Sequence, residues 1–159
     1  MANLPNVVHL EEMKWIESSR GDGFAFKRKL LGKAAGGVQL GCSLMEVPPG
    51  KSAWPFHYHW VNEEAIYILD GAGILRFGDH RIDVRAGDYI AMPAGPSCPH
   101  RLINTSSAPM RYLCISTMLE TEVCVYPDSK KVAAGVGPAG SKVFSAVYRL
   151  RRIPAGHRG

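Results

Sequence analysis

The sequence predicts an all-β fold, a single sandwich or barrel built of short strands. Apolar and polar residues alternate with a period of two along much of the chain, which is typical of half-buried strands. No long stretch has the apolar period of an amphipathic helix. Turn-forming residues, among them 17 glycines and 11 prolines, interrupt the alternation repeatedly. Short strands at a spacing of roughly 8–12 residues are typical of sandwiches and barrels.

Nine segments carry the strand pattern, and the residues between them explain where each one ends. In chain order the strands are predicted over residues 24–30, 38–44, 65–69, 74–77, 82–85, 89–92, 100–104, 110–117 and 123–126. Asp70-Gly71 ends the third strand, Gly78-Asp79 begins a hairpin turn after the fourth, and Pro93 closes the sixth. Residues 105–109 are polar and end in a proline, so they predict the turn that pairs the seventh strand with the eighth.

The net charge of +5 belongs to the C-terminal end of the chain. Residues 129–159 contain seven lysines and arginines and no acidic residue, whereas residues 1–128 contain 12 basic and 14 acidic residues. Nucleic acid or an anionic membrane is a possible partner for such a segment. The charges are spread out, however, which favours a solvated terminal segment. The Gly- and Ala-rich stretch 133–140 predicts a flexible connection to it.

At 159 residues and 17.4 kDa the chain has the size of one domain. We expect an N-terminal arm with the first strand over residues 1–34, the barrel core over 35–128 and the basic C-terminal segment over 129–159. No apolar run approaches the ~18 residues of a membrane span, and no secretory signal is readable. The four cysteines have neither CxxC nor zinc-finger spacing. A reduced, cytoplasmic protein without a membrane partner is therefore expected.

The most informative segment is residues 57–64, where two histidines are followed by two glutamates. On an extended chain His57 and His59 project to the same face, so their imidazoles can converge on one ion. A carboxylate from the next strand and a nitrogen from a third would complete a shell of nitrogen and oxygen ligands. Glu64 and His100 can supply these two atoms once the sheet rolls up. Glu63 is the alternative carboxylate, on the opposite face of the strand.

Residues 50–71 resemble the first motif of the cupin superfamily, a glycine followed by His-x-His, a glutamate and a second glycine seven residues later. The residues that resemble the second motif are Gly87, Pro93, Gly95, His100 and Asn104. Two loops are longer than is usual in the family, the six residues between Gly50 and His57 and the four between Gly95 and His100. The resemblance covers about residues 24–128.

The resemblance implies a single jelly-roll β-barrel, also called a double-stranded β-helix, that holds a divalent transition metal. It implies that the metal ligands are His57, His59, Glu64 and His100, since the spacing to the following glycine selects Glu64 over its neighbour. Three histidines and one glutamate suit Mn, Fe, Ni, Co or Zn. The alternative is a barrel that keeps these residues only for internal hydrogen bonds. The remaining histidines lie outside both motifs and are predicted at the surface: His9, His80 and His157.

A narrower resemblance involves residues 125–132, Val-Tyr-Pro-Asp-Ser-Lys-Lys-Val, together with Lys29-Leu30-Leu31-Gly32. Both segments look like a small bacterial cupin family, some of whose members carry a provisional label of sugar phosphate isomerase. For Pro127-Asp128-Ser129 a turn is favoured over a substrate role, because proline fixes φ and aspartate hydrogen-bonds to nearby backbone. The cations available for a phosphate are Arg76, Arg101, Lys130 and Lys131. Parity with His100 predicts that Arg101 faces outward.

Three functional hypotheses are compatible with these residues. The first is a metal-dependent enzyme acting on a small molecule, with isomerase, dioxygenase and decarboxylase chemistry all open and no catalytic residue assigned. The second is a cupin that binds a small-molecule ligand without turnover. The third is a regulatory protein that meets nucleic acid through its basic tail, for which no helix-turn-helix pattern is present.

The strand faces also predict the surroundings of the metal and the assembly of the protein. If Ile66, Ile68 and Leu102 line the barrel beside the ligands, the pocket there is largely apolar. We expect a homodimer in which residues 24–30 pair with a partner's sheet and cover an exposed edge.

Overall fold

The computed structural model describes residues 6–137 and 144–149. The segments in which apolar and polar residues alternate form antiparallel strands. The strands in chain order are β1 Ile16–Arg20, β2 Phe24–Lys29, β3 Leu40–Val47, β4 Tyr58–His59, β5 Glu64–Asp70, β6 Ala72–Phe77, β7 His80–Arg85, β8 Tyr89–Met92, β9 His100–Asn104, β10 Met110–Thr117, β11 Thr121–Tyr126, β12 Lys131–Val136 and β13 Phe144–Arg149. Nine of them are the predicted strands, and β1, β4, β12 and β13 are additional. The helical elements of the described residues are a 3-10 helix, Leu10–Glu12, and the short α1, Leu31–Ala34. The predicted all-β fold is confirmed.

Three sheets form the barrel. Their strand orders are β1-β2-β3-β10-β5-β8, β13-β12-β11-β4 and β7-β6-β9. The predicted pairing of the seventh strand with the eighth is wrong, since β9 pairs with β6 and β10 lies in another sheet between β3 and β5. A backbone bridge between His57 and His100 ties the segment before β4 to the start of β9. The amide of His57 donates to the carbonyl of His100 at 3.1 Å, and the amide of His100 donates to the carbonyl of His57 at 2.8 Å. This bridge joins the two halves of the barrel at the position where the predicted ligands lie.

The core lies between the inner faces of the sheets. Its most deeply buried apolar side chains are Ile68 and Met110, which have no exposed surface, and Val47. Asn104 is equally buried and holds the loop after β9, since its amide nitrogen donates to the carbonyls of Val47 and Ala108, each at 2.8 Å. Asn104 therefore has the structural role that is expected of a buried amide with satisfied partners.

The glycine that ends the first motif is required by the backbone. Gly71 joins β5 to β6 with φ of +89°, a conformation that side chains other than glycine rarely adopt. A Cβ at this position would lie 3.0 Å from the Cα of Met110. The motif glycine thus allows the chain to turn directly against β10.

The predicted flexibility of the Gly- and Ala-rich stretch is wrong for its first half. Residues 133–136, predicted to be flexible, lie in β12, which pairs with β11 on one side and β13 on the other. Ladder hydrogen bonds from two neighbours outweigh the weak strand preference of alanine and glycine. Residues 138–140 of the same stretch lie outside the described residues.

The strand that was predicted to pair with a partner's sheet pairs within its own chain. β2 lies between β1 and β3, so neither of its edges is available to another subunit. The outer strand of this sheet is β1, whose five residues are all exposed. Among the described residues, no helix combines the length and the apolar character that crossing a bilayer requires.

Replacing Ile68 by alanine is expected to lower the free energy of unfolding by about 2–5 kcal/mol, because the side chain is fully enclosed in the core. The matched control is Ile82→Ala on β7, where the side chain is 45% exposed and a change within about 0.5 kcal/mol is expected. Urea denaturation followed by circular dichroism measures both variants. Equal destabilisation by the two substitutions would contradict this placement of the core.

Candidate metal centre

The four residues predicted as ligands converge on a single carboxylate oxygen. Glu64 Oε2 lies 3.3 Å from Nε2 of His59, 3.3 Å from Nε2 of His100 and 3.8 Å from Nε2 of His57. The ligand atoms of His57, Glu64 and His100 all lie within 4.8 Å of one another. His57 and His100 are buried, and His59 and Glu64 retain a small exposed fraction. The structure therefore brings three imidazole nitrogens within 3.8 Å of one carboxylate oxygen. His59, however, is not within 4.8 Å of every member of the group formed by His57, Glu64 and His100.

Strand geometry explains why these side chains meet. His57 and His59 flank one residue on extended chain, so both rings turn to the inner face and lie 5.1 Å apart between centroids. Glu64 begins β5 and points inward, whereas Glu63 is exposed as predicted. His100 begins β9 beside His57. Two of the other histidines, His9 and His80, are exposed as predicted, and His157 lies outside the described residues.

Hydrogen bonds determine which nitrogen of two rings faces the carboxylate. Nδ1 of His57 lies 2.7 Å from the carbonyl of Pro55, and Nδ1 of His100 lies 2.9 Å from the carbonyl of Cys98. A carbonyl only accepts, so each Nδ1 must carry the proton and donate. In the neutral ring this leaves the lone pair on Nε2, directed at the centre of the cluster. This is the arrangement that a metal-binding histidine requires.

Glu122 is the residue of this site that the sequence analysis did not identify. Its Oε2 lies 3.4 Å from Nδ1 of His59, on the side of the ring away from Glu64. The buried carboxylate is held by the backbone amides of Asn62 at 3.0 Å, Val123 at 2.8 Å and Val61 at 3.4 Å, and by the side-chain amide of Asn62. A glutamate near the start of a predicted strand is compatible with a surface position, so the sequence carries no signal for this role.

Burial and charge act in opposite directions on the ionisable groups of the cluster. Burial alone would raise the pKa of Glu64, but the imidazoles of His100 and His59 outweigh it and hold that pKa well below its usual range. Burial and the charge of His100 lower the pKa of His57 to about 4. Burial also opposes a charge on His59, yet the carboxylates of Glu122 and Glu64 raise the pKa of this ring to about 9. At physiological pH Glu64 is therefore an ionised oxygen donor and His57 a neutral nitrogen donor, whereas His59 is protonated and would have to release its proton to bind a metal ion.

A thiol lies near the same rings. The ligand atoms of His57, His59 and Cys124 also lie within 4.8 Å of one another. Cys124 is opposite His59 in the pairing of β11 with β4, which accounts for its position. This second grouping was not predicted, because a lone cysteine on a strand most often packs as a small apolar residue.

The cavity beside the ligands is small and largely apolar. Its volume is about 20 Å³, room for one or two water molecules, and its walls include Trp54, Ile66 and Leu102. The predicted apolar lining is thus correct for Ile66 and Leu102 but wrong for Ile68, which lies within the core. Cys114 completes one wall, with Sγ 3.8 Å from Glu64 Oε1.

Both candidate phosphate-binding arginines already have polar partners within the chain. Arg76 makes a bidentate pair with Asp128 at 2.6 and 3.1 Å. Nε of Arg101 donates to Oγ of Ser52 at 2.9 Å, and its guanidinium lies 4.9 Å from the centroid of the Phe24 ring. Arg101 also lines the cavity beside the ligands, so the prediction that it faces outward is wrong, whereas Arg76 does not line that cavity.

The turn predicted over residues 127–129 is present, with a different role for its aspartate. The amide of Lys130 donates to the carbonyl of Pro127 at 3.2 Å and closes the turn. The carboxylate of Asp128 binds Arg76 rather than the backbone that was predicted. An available guanidinium on β6, across the barrel wall, is the physical reason for the difference.

Comparison with known proteins agrees with this geometry. A family model described as Cupin domain matches residues 43–116, which include all four converging residues. An uncharacterized protein of Methanocaldococcus jannaschii is 32% identical over 95 residues, a match that spans 60% of this chain and 74% of that protein.

Two solved structures extend the likeness to the fold. One is a sugar phosphate isomerase from a cupin superfamily of Silicibacter pomeroyi, with a TM-score of 0.79, 26% identity and coverage of 90% of this chain and 92% of that one. The other is a predicted oxalate decarboxylase of Thermotoga maritima, with a TM-score of 0.62, 26% identity and coverage of 71% and 99%.

Replacing Glu122 by alanine is expected to lower the free energy of unfolding by about 1–3 kcal/mol or more, because the amides of Asn62 and Val123 lose a charged acceptor. The exposed neighbour Glu120 supplies the control, and Glu120→Ala is expected to change stability by less than about 0.5 kcal/mol. Thermal and urea unfolding measure both. A Glu122→Ala protein as stable as the control would show that this carboxylate does not hold the loop.

Proposed function

Since this chain belongs to the cupin superfamily, we propose that it is a metal-binding cupin in which His57, His59, Glu64 and His100 hold one divalent transition-metal ion. The observation that carries the proposal is the convergence of three Nε2 atoms on one carboxylate oxygen at 3.3–3.8 Å. Two of these rings have Nδ1 committed to a carbonyl. The lone pair of neutral His57 faces the carboxylate of Glu64, an arrangement in which a bound metal ion would satisfy both donors.

The donor set restricts the metal without choosing it. Three imidazole nitrogens and one carboxylate oxygen are suited to Mn, Fe, Ni, Co or Zn. Such an ion, when bound, supplies Lewis acidity to an oxygen of the ligand. The chain orients His57 and His100 through hydrogen bonds to the carbonyls of Pro55 and Cys98, and it places Glu122 in ion-pair distance of His59. It also contributes an apolar cavity wall that limits access of water.

We propose a metal-dependent enzyme acting on a small, oxygen-rich molecule as the function of this site. Isomerisation of a sugar phosphate is the first reaction to test, since the Silicibacter pomeroyi structure carries that name and aligns with 90% of this chain. Decarboxylation is the second, on the likeness to the Thermotoga maritima structure. Dioxygenase chemistry is the third and requires iron as the ion.

A second candidate function is binding of a small molecule without turnover. The observation in its favour is the composition of the cavity wall. Among the described residues that line the cavity, His57, His100 and Glu64 belong to the four-ligand set, Arg101 is the one further charged side chain, and no lysine or second carboxylate is present. A separate general acid or base of these types is therefore lacking beside the ligands.

We propose in addition that the protein is a cytoplasmic homodimer. No disulfide bond joins any of the four cysteines, all of which lie in the described residues, as is expected in a reducing compartment. Because β2 is internal, the dimer would use another surface than the one first predicted. Sedimentation of a monomer at micromolar concentration would contradict the dimer.

The double variant His57→Ala/His59→Ala is expected to lose its metal, falling from about one ion per chain to nearly none, because two of the four donors are removed. The matched control is His9→Ala/His80→Ala, which removes two exposed histidines and is expected to keep the metal. Elemental analysis of proteins purified in parallel measures the content. Unchanged metal in the first variant would refute the ligand assignment.

Turnover is tested on the metal-loaded protein with sugar phosphates, with oxalate and, after iron loading, by oxygen uptake. We expect one of these activities in the wild type and in His9→Ala/His80→Ala, with a loss of at least about a hundredfold in His57→Ala/His59→Ala. Product analysis by chromatography and an oxygen electrode provide the readouts. Tight binding of a compound with no turnover in any assay would favour the second candidate function.

A further inference from the structure

The register of the four-stranded sheet places three side chains in one row that leads away from the candidate metal centre. Tyr126 on β11 is opposite Lys131 on β12, and Lys131 is opposite Arg149 on β13. Residues directly opposite each other project to the same face of a sheet. The ring of Tyr126 stacks on His57, with centroids 5.9 Å apart and planes 25° apart. Since neighbouring strands are about 4.8 Å apart, Arg149 lies about 10 Å beyond Tyr126 along this row.

Lys131 and Arg149 form an uncompensated pair of like charges. Cations directly opposite each other on paired strands destabilise the pairing. Within the part of the chain that the structure describes, neither side chain has an ion-pair partner, and both are exposed. Asp128 is the carboxylate beside them, but it is held in the bidentate pair with Arg76. An anion between the two cations would relieve their repulsion.

A surface cavity of about 530 Å³ that is open to solvent lies at these two cations. The turn after β11 forms its wall, and its lining residues are Asp128, Ser129, Lys130, Lys131 and Arg149. This volume is in the range of small-molecule sites, whereas the cavity beside the ligands, about 20 Å³, admits one or two small groups of atoms. The two cavities thus differ both in size and in the charge of their walls.

We propose that Lys131 and Arg149, assisted by Lys130 and Ser129, bind the phosphate group of a small phosphorylated ligand whose other end extends past Tyr126 to the metal centre. A phosphate monoester carries a charge of about −1.5 to −2 at neutral pH, which matches two or three cations. The guanidinium of Arg149 offers paired donors that fit two phosphate oxygens. Contact of this ligand with the metal rests on the proposed function, whereas binding of its phosphate group depends only on the hairpin, the paired strands β12 and β13.

The phosphate end is tested with inorganic phosphate as the probe, titrated into the full chain at low ionic strength and followed by ³¹P NMR. The variant Lys131→Ala/Arg149→Ala is expected to bind at least about tenfold more weakly than the wild type, since two charge-assisted contacts are lost. Lys33→Ala/Arg85→Ala removes the same charge from exposed residues of α1 and β7 and is expected to bind like the wild type. Equal affinities in the two double variants would overturn the proposal.

A variant that exchanges the two cations tests whether weaker binding in the alanine variant results from loss of charge or from unfolding of the hairpin. Lys131→Arg/Arg149→Lys keeps both cations, so binding of inorganic phosphate is expected to stay within about threefold of the wild type. Far-UV circular dichroism checks that all variants keep the strand content. A folded exchange variant that no longer binds phosphate would contradict an electrostatic site.

The reach to the metal centre is tested with ribose phosphate as a second probe. Loading the wild type with metal is expected to tighten ribose phosphate binding by at least about tenfold and to leave inorganic phosphate binding unchanged. In His57→Ala/His59→Ala only the metal-dependent gain should disappear. Phosphate binding in a protein that never takes up metal would refute the proposed function and support the hairpin site, whereas metal uptake without phosphate binding would do the reverse. Binding of a single-stranded oligonucleotide through the same two cations, much more tightly than ribose phosphate, would overturn the assignment to a small molecule.

Discussion

The reciprocal backbone hydrogen bonds between His57 and His100 are the constraint on which the candidate site depends. Each amide donates to the carbonyl of the other residue, at 3.1 and 2.8 Å, so the two segments separate only if both bonds break. The same two residues turn their rings inward to Glu64. Barrel closure and donor geometry are therefore properties of the same residues. A change that loosens this bridge would move the nitrogens as well as the strands.

The two loops that are longer than usual in the family carry the anchors of these rings. Pro55 lies in the loop between Gly50 and His57, and its carbonyl accepts from Nδ1 of His57. Cys98 lies in the loop between Gly95 and His100, and its carbonyl accepts from Nδ1 of His100. Residues of these two loops thus fix the tautomer of both rings. The third ring has a carboxylate in place of a carbonyl, which places a negative charge on each side of His59.

The two ends of one face of the four-stranded sheet carry different ionisable groups. Near β4 the face carries the histidines of the candidate metal centre, and farther out on β12 and β13 it carries two cations with no ion-pair partner among the described residues. Tyr126 lies between these two regions and contacts the first of them through His57. A ligand that spans them would need an oxygen-rich end for the metal and an anionic end for the hairpin. The sheet extension of the C-terminal segment is what creates the second region.

Periodicity and motif spacing determined the nine strands and the four residues that converge, because both depend on neighbours within a few positions along the chain. Such reasoning could not predict the strand at residues 133–136, the burial of Glu122 or the ion pair of Asp128. The strand state of the first depends on two partner strands, the burial of Glu122 depends on the amides of the loop before β5, and Asp128 is paired by an arginine on β6. Which residue types are available was decided by the sequence alone. Which of their atoms meet was decided only by the tertiary structure, because hydrogen bonds and ion pairs between distant segments require the barrel to close first.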